Sequence, residues 1–196
     1  MITASRRTKR KLIEHEAQLR LDGQNGLRVA IVADTHSKLH DRAAELLRAQ
    51  RPSAIVHAGD IGALTVLDDL GQIAPVIAVR GNIDERAAHL PDVVTIDVRA
   101  GEQSALRLLV THIAVYGARL RADAAQLAER HGARVIVCGH SHVPFLGRDR
   151  GFTVFNPGSI GPRRLHLPIV FGVMVVVDAK LSFMHINCET GREWLP

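Results

Sequence analysis

Five times in this chain an apolar run ends on a side chain able to hold a metal: RVAIVA leads to Asp34, AIVHAG to Asp60, VIAVRG to Asn82, LRLLVT to His112 and RVIVCG to His140. Short β-branched runs separated by helix-like stretches read as parallel strands of an α/β domain, and ligands bind beyond the carboxyl ends of such strands. The five donors should therefore gather at one edge. Asp34-Thr35-His36 and His140-Ser141-His142 each add a donor two residues on. Seven oxygen and nitrogen donors then face one crevice, enough for two metal ions.

At 196 residues the chain suits one domain with a substantial core. Its charged fraction of 23% and hydrophobic fraction of 46% are those of a globular protein rather than a disordered or fibrous one. The longest apolar stretch runs from Ile169 to Val177 and stops at Asp178, well short of the roughly 20 residues a bilayer span needs. No apolar run follows the basic N-terminus, so the reading carries no secretory signal, no membrane partner and a cytoplasmic location. Cys138 and Cys188 are too few for a disulfide framework or a zinc ribbon and read as packed apolar residues. Residues 1–20 hold six basic side chains against two acidic ones, which accounts for most of the net charge of +5. The remainder is near neutral, which argues against a nucleic-acid surface spread over the domain. Only the leader has the charge for one, and it lacks interleaved aromatics for stacking.

Residues 1–27 read as a basic N-terminal arm: SRRTKRK is a charge run, Ile13, Ala17 and Leu21 form a thin helical stripe, and residues 22–26 are a turn cluster. Residues 28–196 form the domain. Strands are expected at 28–33, 54–57 and 76–79, with helices near 39–50 and 64–72 between them. Further strands fall at 92–98 and 105–110, and an amphipathic helix near 118–131 turns Leu120, Ala124, Leu127 and Ala128 to one face. The strand at 134–138 closes the parallel group. Hairpins follow, at 143–147 with 152–155 and at 169–177 with 181–187. A parallel first half and an antiparallel second half predict two stacked sheets flanked by helices.

The ordered set Asp34-x-His36, Gly59-Asp60, Gly81-Asn82, Thr111-His112 and Gly139-His140-Ser141-His142 resembles the calcineurin-like metallophosphoesterase superfamily. With GNID and NPGS it is similar to the compact YfcE-like phosphodiesterase branch. The resemblance covers residues 28 to about 187. It implies a four-layer αββα sandwich of two mixed β-sheets flanked by helices. It also implies a dinuclear centre, with one ion on Asp34, His36 and His142, the other on Asn82, His112 and His140, and Asp60 bridging. A carboxylate suits that bridge because its two oxygens can each face a cation, the ions being about 3.5–4 Å apart. Mixed imidazole and carboxylate donors favour manganese, iron, zinc or nickel over calcium, and among these the resemblance implies manganese first. The implied reaction is hydrolysis of a small phosphate ester, a diester before a monoester, by a bridging hydroxide whose pKa falls from 15.7 toward about 7. Asp60 and Asn82 are the residues assigned to catalysis. Homo-oligomers are common in this branch.

Many superfamily members place a histidine after the asparagine as general acid, whereas this chain has Ile83. Such an acid contributes about 10²–10⁴ in rate, so its absence predicts preference for good leaving groups. Three further residues have two readings each. His57 orients a metal ligand or packs in its strand; Asp84 assists the leaving group or caps a helix; Asn156, in Asn156-Pro157-Gly158-Ser159, bonds a ligand or shapes the turn. Arg163 and Arg164 have the geometry for a bidentate phosphate clamp, although exposed arginines are common. Two alternatives stand beside the diesterase: a phosphomonoesterase or phosphoprotein phosphatase, and a non-catalytic protein-binding scaffold on the same fold, as in the retromer subunit. The competent donors at all seven positions favour an enzyme.

Overall fold

The computed structural model describes residues 11–23, 26–178 and 180–195. Apart from Lys11, the basic run of the expected arm lies outside the described residues. In chain order the elements are β1 Glu14–Arg20, β2 Leu27–Val32, α1 Ala43–Ala49, β3 Ala54–His57, α2 Thr65–Gly71, β4 Val76–Ala78, β5 Val93–Ala100, β6 Gln103–Thr111, β7 Val115–Tyr116 and β8 Arg119–Leu120. They continue with α3 Ala122–Arg130, β9 Val135–Val137, β10 Phe145–Asp149, β11 Phe152–Asn156, β12 Val170–Val177, β13 Lys180–Asn187 and β14 Glu193–Trp194. A single 3-10 turn covers Asn82–Asp84.

Two six-stranded mixed sheets carry the fold, in the orders β14-β13-β12-β2-β3-β4 and β1-β5-β6-β9-β11-β10. Strand alternation makes three apolar interfaces from them. Ala30 and Val32 of β2 face Leu46 and Leu47 of α1 and Val66 and Leu70 of α2. Val29 and Ile31 of the same strand face the other way, onto Val94 and Ile96 of β5 and Leu108 and Val110 of β6. Beyond that second sheet, Leu109 and Ile136 meet Ala124, Leu127 and Ala128 of α3. Helices, sheet, sheet, helix: the four αββα layers follow from which face each alternating residue presents. Each fully buried leucine or isoleucine in these interfaces contributes about 1.5–3 kcal/mol.

Three expectations need correction. The helical stripe at Ile13, Ala17 and Leu21 is instead strand β1, which pairs in parallel with β5 and lies ahead of the expected start of the domain. Ala17, Leu19 and Leu21 pack on the core between the sheets, and period two, not four, is what that face requires. Nor does the strand at 134–138 close the parallel group of the first sheet, although both sheets are mixed as expected. The β12–β13 hairpin joins β2 antiparallel, while β9 leaves the β2-β3-β4 group and pairs parallel with β6 and β11. The expected helix near 118–131 begins later, at Ala122, because Val115–Leu120 folds into the small β7–β8 hairpin. Among the described residues no helix is long and apolar enough to cross a membrane.

Candidate metal centre

The exchange of strands between sheets builds the site. Asp34, Asp60 and Asn82 follow β2, β3 and β4 of one sheet, and His112, His140 and His142 follow β6 and β9 of the other. Five of the seven donor residues, His36 included, have left-handed backbones, with φ of 55° at Asp34, 45° at His36, 55° at Asp60, 71° at His140 and 58° at His142. That conformation costs a non-glycine residue about 1–2 kcal/mol, so it persists only where the surroundings impose it. Here hydrogen bonds continue past the strand ends: Asp34 N–H donates to Gly59 C=O (2.9 Å), His36 N–H to Asp60 C=O (3.0 Å) and Gly139 N–H to His112 C=O (3.0 Å). Two glycines are needed for different reasons. Gly59 has φ of +94°, whereas Gly81 is extended and must lack a side chain because a Cβ there would come within 2.2 Å of Asp60 Oδ1.

The donors form two groups, Asp34 with His36 and His142, and Asp60 with His112 and His140; within each, the ligand atoms lie within 4.8 Å of one another. Each group draws on both sheets. The carboxylate of Asp60 faces both, with Oδ1 3.2 Å from His112 Nε2 and Oδ2 3.9 Å from His36 Nε2. His142 Nε2 sits 3.4 Å from Asp34 Oδ1 and 3.2 Å from His36 Nε2. His112 Nδ1 donates to the Ala58 carbonyl (2.8 Å), so in the neutral ring Nε2 is a lone pair. That nitrogen is buried without a hydrogen-bond partner, facing a carboxylate oxygen. Lone pairs from nitrogen and oxygen turned toward each other in a buried pocket fit a shared cation.

The two carboxylates stand in opposite electrostatic positions. Burial pushes the Asp34 pKa up to about 7 against the pull of His112, and the neighbouring Asp60 charge adds to the rise. Burial also acts on Asp60, but the His112 contact and the Ile83 N–H outweigh it and hold that carboxyl below the usual range. The imidazoles follow the same division. Burial lowers His142 to about 4, with Arg164 and His36 adding to the effect; it lowers His36 and His140 as well. Burial opposes the charge on His112 too, but Asp60 and Asp34 overcome it and raise the pKa. Three of the four rings are therefore held neutral, the form that ligates metal.

The remaining predicted residues brace this arrangement. Among the described residues His57 hydrogen-bonds no metal-donor side chain: its Nδ1 accepts from Gly59 N–H (3.2 Å), which leaves Nε2 to donate to Thr35 Oγ1 (3.0 Å), and Thr35 in turn donates to Ile61 C=O (2.9 Å). This chain of bonds ties the Asp34–His36 loop to the Asp60 loop. Asp84, buried, accepts from the N–H groups of Ile61, Gly62 and Gly81, so it fixes the Asp60 and Asn82 loops together. Asn156 donates to Gly139 C=O (2.7 Å) and Ser141 Oγ (3.1 Å), on either side of His140. Asn82 is exposed and opens the 3-10 turn. Just after it, Ile83 N–H donates to Asp60 Oδ1 (3.2 Å) while the Ile83 side chain stays 50% exposed. Sequence reading missed Thr35 and Ser159, whose hydroxyl donates to Asp34 C=O (2.9 Å). Their bonds run to backbone atoms that only the fold brings near.

A four-layer sandwich with two histidine–aspartate groups at the seam of its sheets defines a metal-binding hydrolase class. The chain belongs to the calcineurin-like phosphoesterase superfamily, whose domain matches residues 27–180. A probable metallophosphoesterase of Methanocaldococcus jannaschii is 31% identical over 167 residues, 82% of this chain and 81% of the relative. The fold is also similar to YfcE, a phosphoesterase from E. coli (TM-score 0.56, 23% identity, 85% of this chain and 96% of that one). It is similar as well to wild-type Vps29 from Entamoeba histolytica in complex with zinc (TM-score 0.66, 18% identity, 86% and 96%). At these identities the structural likenesses establish the fold alone.

Proposed function

We propose that this chain is a dinuclear metal-dependent phosphodiesterase. The observation that carries the reading is the Asp60 carboxylate, whose two oxygens turn one toward His112 and the other toward His36. One ion would be held by Asp34, His36 and His142 and the other by His112, His140 and Asn82, with Asp60 shared; manganese is the first candidate, with iron, zinc and nickel as alternatives. When bound, such ions supply Lewis-acid charge to a phosphate oxygen and acidify a water. The protein's own part is placement. The left-handed loops and the bonds of His57, Asp84 and Asn156 fix the donors before substrate arrives, so little reorganisation remains for the reaction. The Ile83 side chain has no proton to give and is exposed, while its backbone N–H donates to the Asp60 carboxylate. The leaving group must then carry its own charge, which favours aryl over alkyl esters. Replacing Ile83 by histidine should raise turnover of alkyl diesters by up to about 10²-fold and leave aryl diesters little changed.

The proposal is tested by hydrolysis of a chromogenic aryl phosphodiester and of the matching monoester, after chelation and after returning single metals, with Asp60→Ala alongside. Metal-restored cleavage, faster on the diester and lost in the variant, is the expected result. Cleavage that survives chelation and the substitution together overturns it. Likeness in fold to Vps29 gives a protein-binding role as the second reading. Partner binding with no turnover under any metal would select that one.

A further inference from the structure

We infer that Arg164 is the residue that grips the phosphate of the substrate at the mouth of the centre, an inference that rests on the phosphoesterase reading above. The segment leading to it is tightly fitted. Ser159 Oγ donates to Asp34 C=O and Ile160 N–H to Ala33 C=O (3.3 Å), and a Cβ on Gly161 would fall 2.5 Å from Thr35 C=O. The chain from 159 to 161 is thus docked on the Asp34–His36 loop, and the arginines two and three residues on are delivered to its rim.

The two arginines then part. Arg163 is committed elsewhere, to the Glu189 carboxylate and to Leu167 C=O (3.1 Å). Arg164 points inward, with Nη2 3.2 Å from His36 Nε2. Among the described residues no carboxylate pairs with it. A guanidinium without an acid partner, held beside a cluster of cation ligands, is well placed for an anion that lies between them. The hydrogen bond it makes also uses the lone pair by which His36 would ligate. A cation held by His36 would take that lone pair and leave the planar fork of Arg164 for two parallel bonds to phosphate oxygens, a geometry lysine cannot copy. Arg164 is exposed and its backbone lies in a loop, so its removal leaves the core intact.

The test uses the full chain and inorganic phosphate as probe, titrated calorimetrically into wild type, Arg164→Ala and Arg164→Lys in the presence of manganese. Kinetics on the aryl diester run in parallel. Loss of the fork should weaken phosphate binding roughly 10- to 100-fold, the range of one or two charge-assisted hydrogen bonds, and lower kcat/KM to match. Arg164→Lys should recover only part of both, while manganese stoichiometry and melting temperature stay at wild-type values. Equal phosphate affinity in wild type and Arg164→Ala overturns the role of Arg164 and leaves the phosphoesterase reading standing. Absence of phosphate binding in wild type overturns both.

Discussion

Asp34 and Asp60 occupy equivalent places, each just past a parallel strand, each with φ of 55°, each inside one donor group. Their surroundings nevertheless drive them apart. Asp60 faces a histidine that its own charge helps to protonate, accepts the Ile83 N–H and remains ionised. Asp34 is fully buried, beside rings that burial keeps neutral, and its pKa rises to about 7. Without a cation, the Asp60 group is partly neutralised by its own ion pair, while the Asp34 group has no internal charge balance. The Asp34 group therefore gains more from a bound ion. Any proton on His112 Nε2 would have to leave before that nitrogen could ligate. Because each group joins residues from both sheets, an ion in either one also pins the two layers together.

The comparison is broken most severely at the shared residue. Asp60→Ala should abolish binding at both positions and reduce turnover by more than the roughly 10²–10³-fold that one lost electrostatic donor costs, whereas Asp34→Asn should remove one ion and keep the other. Metal content by atomic emission and kcat on the aryl diester distinguish the two. Next come the braces on each side. Asp84→Ala strands three backbone N–H groups near Asp60 and should destabilise the protein by about 3 kcal/mol or more, measured by denaturant unfolding of the metal-free form. Asn156→Ala loosens the loop of His140 and His142 and should weaken metal binding about 10-fold.

The smallest effect is a pH slope. Asp34 binds its proton more tightly folded (about 7) than at its ordinary value of 3.8. Between those values Asp34 holds more proton in the native state than in the unfolded one, so its own contribution to the stability of the metal-free protein falls as pH rises through that window, while His142, held at about 4, and His57, held at about 3, contribute the opposite slope below their ordinary 6.5. Melting temperatures in chelator from pH 4.5 to 7.5 should therefore rise less with pH in wild type than in Asp34→Asn. A slope of the same size in Asp34→Asn would assign it to another group.

Five of the seven donor positions were legible because each closes an apolar run, and burial of a strand fixes where the chain beyond it emerges. Asp34, Asp60 and His112 needed no more than that. The assignment of strands to sheets was not legible, since β9 follows the β2-β3-β4 series in sequence yet pairs with β6 and β11 across the core. Strand β1 was hidden by a coincidence of periods: Ala17 and Leu21 fit a helical stripe, and only Leu19 between them marks a strand. His57, Asp84 and Asn156 were visible as polar residues near the motifs. Their partners are backbone groups of other loops, so their bracing role depends on topology that local pattern does not contain.

The two donor groups are proposed to hold two cations joined through Asp60. Equilibrium dialysis against manganese measures it directly: about two ions per wild-type chain and almost none in Asp60→Ala are the expected values. Wild-type protein that takes up no ion at saturation, or an Asp60→Ala protein that still binds two, would contradict it.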